Sequence, residues 1–250
     1  MLIMRVAALY DIHGNLPALE AVLDVLLQAE VDLIVVGGDV VPGPMPIETL
    51  RCLLSLPIPV QFIQGNGEAA VLDEIAGRDN TLPEQFREII RHSAHQIQQE
   101  YEQLMASWPE TLRIEIGGLG EVLFCHATPR SNTEVFTRST PEDLLLPIFA
   151  EAMAPIVVCG HTHMQFDRMV GDVHVVNAGS VGMPFGEPGA YWLLLGPDIQ
   201  LRRTSYNLER AAERIRATSY PQAQEFAGRN VLRPPTEQEM LDVFSKVELK

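Results

Sequence analysis

The stretch MRVAALYDIHGN, residues 4–15, passes without interruption from an apolar run into a polar turn. Met4 to Tyr10 reads as a buried strand, and Asp11 and His13 stand directly at its carboxyl end. Asn15 then has the position of a helix N-cap, with Pro17 in the first turn and Leu16, Leu19, Leu23 and Leu26 on one helical face. The same unit recurs downstream. Asp32 to Gly37 is a second strand ending at Gly38-Asp39, Ile47 to Leu56 a helix, and Pro59 to Ile63 a third strand ending at Gly65-Asn66. Such alternation implies right-handed crossovers and a largely parallel sheet.

Beyond it, Thr81 to Met105 predicts one long helix. Thr81 and Glu84 form its capping box, and Phe86, Ile90, Ile97 and Leu104 form its apolar stripe. Leu112 to Ile116 and Glu121 to Cys125 read as strands around the turn at Gly117 to Gly120, and Thr140 to Asp143 opens another helix. Pro155 to Cys159 is an apolar strand that runs into Gly160-His161-Thr162-His163. From Gln165 to Thr204 short strands alternate with glycine turns, which predicts an antiparallel portion. Asn207 to Thr218 and Thr236 to Val247 read as helices, the second with a Thr236/Glu239 capping box. Residues 1–250 are therefore expected to form a single domain with a C-terminal helical extension over about 207–250. Helices outside two β layers is the simplest packing.

The chain is 46% hydrophobic over 250 residues, ample for one large core. No apolar run approaches the roughly 20 residues that would span a bilayer. The N-terminal run leads straight into the Asp-His motif without a cleavage signal, so a cytoplasmic location is expected and a membrane partner is not. Cys52, Cys125 and Cys159 lack paired spacing and read as thiols, the last two at the ends of buried strands. The formal charge of -15 argues against a protein that coats nucleic acid. It leaves room for an anionic substrate, since bound cations invert a local field.

The polar residues carry the chemistry. Five apolar strands end in metal-competent groups: Asp11 and His13, Asp39, Asn66, His126, and His161 with His163. Ligands of open α/β sheets bind outside the carboxyl ends of the strands, so neighbouring strands would gather these groups. Each group alone is commonplace as turn chemistry or a satisfied histidine. Together and in this order they point to one site.

In these motifs (DIHGN, GGD, GNGE, CHATPR, GHTH, and NAGSVGMP after them) the chain resembles the calcineurin-like metallophosphoesterases, especially small bacterial and archaeal members, from residue 5 to about 205. The resemblance implies an α/β fold, a four-layer α/β/β/α sandwich with two mixed sheets. It implies two divalent ions, manganese foremost, with iron, zinc or nickel as alternatives. One ion would take Asp11, His13 and His163, the other Asn66, His126 and His161, with Asp39 bridging them. It further implies hydrolysis of a small phosphodiester, nucleotide or phosphomonoester by attack of a metal-bridging hydroxide, with Asp39 and Asn66 in the catalytic machinery.

Imidazole and carboxylate donors suit those transition metals, and a bridging carboxylate can hold ions ~3.5–4 Å apart. One position departs from the pattern: the histidine common after Gly-Asn is Gly67 here, beside the retained acid Glu68. Glu68 is therefore expected to have a catalytic part. Loss of the histidine favours diesters or activated esters, because general acid help is worth 10²–10⁴-fold. Arg130, four residues after His126, is a candidate phosphate contact, and Asn15 a further substrate-binding candidate. The competing expectation is a non-catalytic metal-binding module that keeps the fold.

Overall fold

The computed structural model describes residues 4–78 and 83–249. Its first half alternates as the sequence predicts: β1 (Val6–Leu9), α1 (Leu16–Leu26), β2 (Leu33–Val36), α2 (Pro46–Leu54) and β3 (Val60–Phe62). The three strands are parallel, with Val6 opposite Leu33 and Ile34 opposite Val60. Asn15 caps α1 by accepting a hydrogen bond from the Ala18 amide. After α3 (Asn66–Ile75), the helix expected to start at Thr81 is two helices, α4 (Glu84–Gln96) and α5 (Gln99–Ala106). Thr81 itself lies outside the described residues.

The single-helix expectation fails at Ile97 and Gln98, whose ψ angles of 119° and 157° are extended. Ile90 is buried against the α1/α2 side of the core, Tyr101 and Met105 reach the same core from α5, and Phe86 stays 46% exposed. A break lets each helix choose its own packing angle.

The chain continues as β4 (Thr111–Ile116), β5 (Gly120–Cys125), α6 (Glu142–Ala150), β6 (Ile156–Cys159), β7 (Phe166–Val170), β8 (Val173–Asn177), β9 (Ala190–Leu195) and β10 (Ile199–Thr204). It ends with α7 (Leu208–Arg216), α8 (Ala223–Phe226), a π-helical segment (Ala227–Leu232) and α9 (Glu237–Phe244). Thr236 and Glu239 form the expected capping box of α9.

Two five-stranded sheets result, in the orders β10-β9-β1-β2-β3 and β4-β5-β6-β8-β7. The antiparallel portion is thus shared between them. The β7–β8 hairpin extends one sheet, and the β9–β10 hairpin lies antiparallel to β1 in the other.

Strand periodicity decides the layers. Val6, Ala8, Leu33 and Val35 point between the sheets and meet Val122, Phe124, Ile156 and Val158. The alternate residues Ala7, Leu9, Ile34 and Val36 pack under α1 and α2. On the far side, Leu123, Val157 and Val175 are covered by Leu145, Ile148 and Phe149 of α6. Every central strand is therefore apolar on both faces, as the uninterrupted runs required. This is the expected four-layer α/β/β/α arrangement with two mixed sheets. No helix among the described residues is long and apolar enough to cross a membrane.

Candidate metal centre

The carboxyl ends of β1, β2, β3, β5 and β6 open toward one another, and the polar residues that follow them converge. The loops after β1 and β2 are zipped by backbone bonds: Asp11 N–H to Gly38 O (3.1 Å), His13 N–H to Asp39 O (2.8 Å) and Gly14 N–H to Val40 O (2.8 Å). The β8–β9 connection closes the other side. Ser180 Oγ donates to Asp11 O and accepts from the Met183 amide, while Asn177 donates to Gly160 O and Thr162 Oγ1. The NAGS segment is thus a brace for the site loops.

Backbone conformation marks the same places. Among the described residues, seven non-glycine positions have positive φ, and five of them are Asp11, His13, Asp39, His161 and His163. Left-handed geometry costs a residue with a Cβ about 1–2 kcal/mol. Strain of this kind gathers where surrounding structure over-determines it, typically at functional sites. Gly38 between the two aspartate loops has φ +93°, and a Cβ on it would lie 2.7 Å from His126 Nδ1.

The side chains are held with one atom anchored and one left over. Asp11 Oδ2 accepts from the His161 amide (2.8 Å), while its buried Oδ1 has no hydrogen-bond partner among the described residues. Asp39 Oδ1 accepts from the Gly67 amide (2.6 Å), leaving Oδ2 to face His126 Nε2 at 3.6 Å and His13 Nε2 at 3.7 Å. The imidazoles follow the same rule. Nδ1 of His13, His126 and His163 lies against the carbonyls of Pro42 (3.3 Å), Gly37 (2.9 Å) and Met183 (2.7 Å). Donation from Nδ1 directs the Nε2 lone pair inward, the usual support for a metal-binding histidine.

Inward, acceptors meet acceptors. His13 Nε2 and His163 Nε2 are 3.3 Å apart, about what two nitrogens ~2.1 Å from a shared ion require. Asp11 Oδ1 is 3.3 Å from His163 Nε2 and 3.9 Å from both His13 and His126. His126 Nε2 is 2.9 Å from Asn66 Oδ1. Among the described residues, two groups of donor atoms are close enough for an ion: Asp11, His13 and His163, and Asp11, Asp39 and His126. The His161 ring lies beside that of His126, with centroids 5.2 Å apart, and outside both groups.

The field inside this cluster favours cations. Burial alone would raise Asp11, but His163, His126 and His13 hold its carboxyl below the usual range. Burial, helped by Asp11, pushes Asp39 upward. His126 and His163 are raised despite burial, because Asp39 and Asp11 attract positive charge onto them. Burial and the neighbouring imidazoles lower His13 and His161 to about 3, so these rings stay neutral and can offer a lone pair.

The structure places three of the expected site residues away from the cluster. Glu68 does not face the cluster. Its carboxylate is fully buried and accepts from the amides of Asp39, Val40, Val41 and Gly65 at 2.7–3.1 Å, tying two site loops together. Burial, then Asp39, pushes it up to about 7. Asn15 is buried too. Its side chain caps α1 and donates to Gly182 O, which gives it a structural role. Arg130 pairs with Glu134 (2.6 Å), which also accepts from Thr128, so it braces the loop after β5 outside the cavity. In each case a nearer internal partner takes the polar atoms.

A cavity of about 740 Å³ opens on the cluster, bounded at one end by His13, Asp39, Asn66, His161 and His163. Its opposite wall comes from α4 and from residues 220–240. Sequence reading missed that wall, because helical periodicity reports which face is buried and not what it is buried against.

The calcineurin-like phosphoesterase superfamily domain matches residues 4–196. The fold is similar to that of a hypothetical protein from Pyrococcus horikoshii OT3 (TM-score 0.78, 18% identity, 93% of this chain and 100% of that one). It is also similar to a metallophosphoesterase from Sphaerobacter thermophilus (TM-score 0.71, 24% identity, 92% of this chain and 100% of that one). No curated protein matches the chain. With the match spanning most of the sequence and including every strand-end motif, the chain belongs to the calcineurin-like phosphoesterase superfamily.

Proposed function

We propose that this chain is a dinuclear metallohydrolase acting on a small phosphodiester or an activated phosphomonoester, with manganese as the foremost metal. The observation that carries the reading is the convergence of unpartnered acceptors. Asp11 Oδ1 is buried without a hydrogen bond, and the Nε2 atoms of His13 and His163 point at one place beside it. A proton can relieve one such gap; divalent cations relieve them together. In this proposal Asp11, His13 and His163 would hold one ion and Asn66, His126 and His161 the other, with Asp39 available to both.

Ions so held supply Lewis acidity toward a phosphoryl group and acidify water. The chain's own part is positional. Backbone carbonyls fix three imidazoles, the Gly67 amide fixes Asp39, and Glu68 holds the loops that carry Asp39 and Asn66. A catalytic side chain at position 67 is excluded by packing, since a Cβ on Gly67 would stand 2.2 Å from Val41 O. The leaving group therefore receives no help from there, which supports esters with good leaving groups or diesters.

Elemental analysis and turnover of bis-p-nitrophenyl phosphate against p-nitrophenyl phosphate, both with manganese, test the proposal. We expect about two ions per chain and preference for the diester. His161→Ala should lower metal content and reduce turnover by more than roughly a hundredfold, since even indirect ligand support is worth 10–100-fold. Unchanged metal content and rate in that variant would reject the ligand set. Full metallation without hydrolysis of either ester would favour a non-catalytic module.

A further inference from the structure

Away from the ligands the cavity changes character. Phe185 stacks on His163, with ring centroids 5.3 Å apart and planes at 20°, so apolar surface begins at the metal-binding edge. It continues across Tyr220 and Phe226, which are buried and packed edge to face, to Met240 of α9 and Phe86 of α4. Phe86 lines the cavity and is 46% exposed. Tyr220, Phe226 and Met240 all lie beyond residue 196, where the superfamily match ends.

Charge sharpens the picture. Among the described residues, the fully charged side chains lining the cavity away from the proposed ligands are Asp73, Glu225 and Arg229, so they sum to a negative balance. A polyphosphate chain extending past the ligands would face two carboxylates and one guanidinium. Arg229 and Asn230 are presented by the π-helical segment, a geometry that recurs at functional sites. A volume of about 740 Å³ exceeds what one phosphate needs and falls in the range of organic ligand pockets.

We propose that the site takes esters of a single phosphate whose organic arm is apolar and at least the size of a benzene ring, with Phe86 and Met240 as specificity-determining contacts. This rests on the phosphoesterase reading and adds the substrate class. The arm lies between these two side chains and the packed pair Tyr220 and Phe226. The phosphate occupies the ligand end, and no second anionic group is accommodated.

Calorimetric titration of the manganese-loaded protein with phenylphosphonate and methylphosphonate, which differ only in the arm, reads this directly. Phenylphosphonate should bind at least about tenfold more tightly, as burial of a ring predicts. In Phe86→Ala and, separately, Met240→Ala the gap should contract to less than about threefold. Neither side chain is buried, so the two variants test the contact and not the core. Equal affinity for the two phosphonates would overturn the apolar-arm assignment and leave the phosphoesterase reading standing. An undiminished gap in both variants would overturn the assignment of the wall. Absence of binding together with absence of bis-p-nitrophenyl phosphate turnover would overturn the phosphoesterase reading itself, and this inference with it.

Discussion

Glu68 and Gly67 sit side by side, and the structure gives them opposite prospects under mutation. Glu68→Ala would strand four buried amides. An unsatisfied buried donor costs about 1–3 kcal/mol, so a loss of about 3 kcal/mol or more is expected in urea unfolding, with weaker manganese binding. For Gly67, the tempting change is to restore the family's histidine. Gly67→His should instead reduce both stability and turnover, because its Cβ would overlap Val41 O at 2.2 Å and crowd Asp39 Oδ1 at 2.8 Å. Overpacking of this kind costs about 1–3 kcal/mol. A melting temperature equal to that of the unmodified chain, with faster hydrolysis, would refute this. The metal-competent residues themselves were legible in the sequence, since Asp11, Asp39, Asn66, His126 and His161 each end an apolar run. The work of Glu68 was not legible. A carboxylate that points at amides and one that points at a metal have the same letter and the same spacing.

Among the elements, the strands were the most readable and the long helix the least. A fully buried strand declares itself through continuous apolar residues, and the polar residue that stops it locates its end. The break between α4 and α5 involves no proline or glycine; Ile97 and Gln98 turn to extended backbone although the helices on both sides reach the same core. Likewise, alternation from Gln165 to Thr204 announced hairpins but not that β7–β8 and β9–β10 would join different sheets. Pairing choice depends on partners more than a hundred residues away. The N-cap of α1 gives a prediction at this scale. Asn15→Ala should remove about 1 kcal/mol of capping plus the bond to Gly182 O, about 2 kcal/mol in total by thermal unfolding. KM for bis-p-nitrophenyl phosphate should stay within about twofold if the residue is structural, since a direct phosphate contact is typically worth more than 1.5 kcal/mol. A large rise in KM would restore the substrate-binding role expected from sequence.

For the molecule as a whole, metal binding and folding are linked. The two sheets carry the proposed ligands at the ends of strands remote in sequence, so ions held there would cross-link the fold. Binding to the folded state alone contributes about 2.7 kcal/mol when the free metal is at a hundred times its dissociation constant. For a chain of 250 residues each kcal/mol shifts the melting point by ~2–4 °C. Adding manganese to chelator-treated protein should therefore raise the melting temperature by about 5–10 °C, and His161→Ala should blunt that rise. A melting curve indifferent to manganese would count against ions at this site. The charge of -15 is a property of the same scale, and it was informative only by exclusion. It disfavoured a nucleic-acid coat but could not reveal the local field that raises His126 and His163.

The left-handed backbone at Asp11, His13, Asp39, His161 and His163 has one more consequence. At about 1 kcal/mol each, these five positions withhold about 5 kcal/mol from folding, comparable with the net stability of many domains. A search for thermostable variants that ignored turnover would therefore be drawn to the ligands themselves. His161→Gly, assayed without metal, relieves the strain at its φ of 66° and is the substitution such a search would enrich. With these residues holding ions as proposed, robustness and reactivity would compete at the same five positions, and durability would have to be engineered elsewhere.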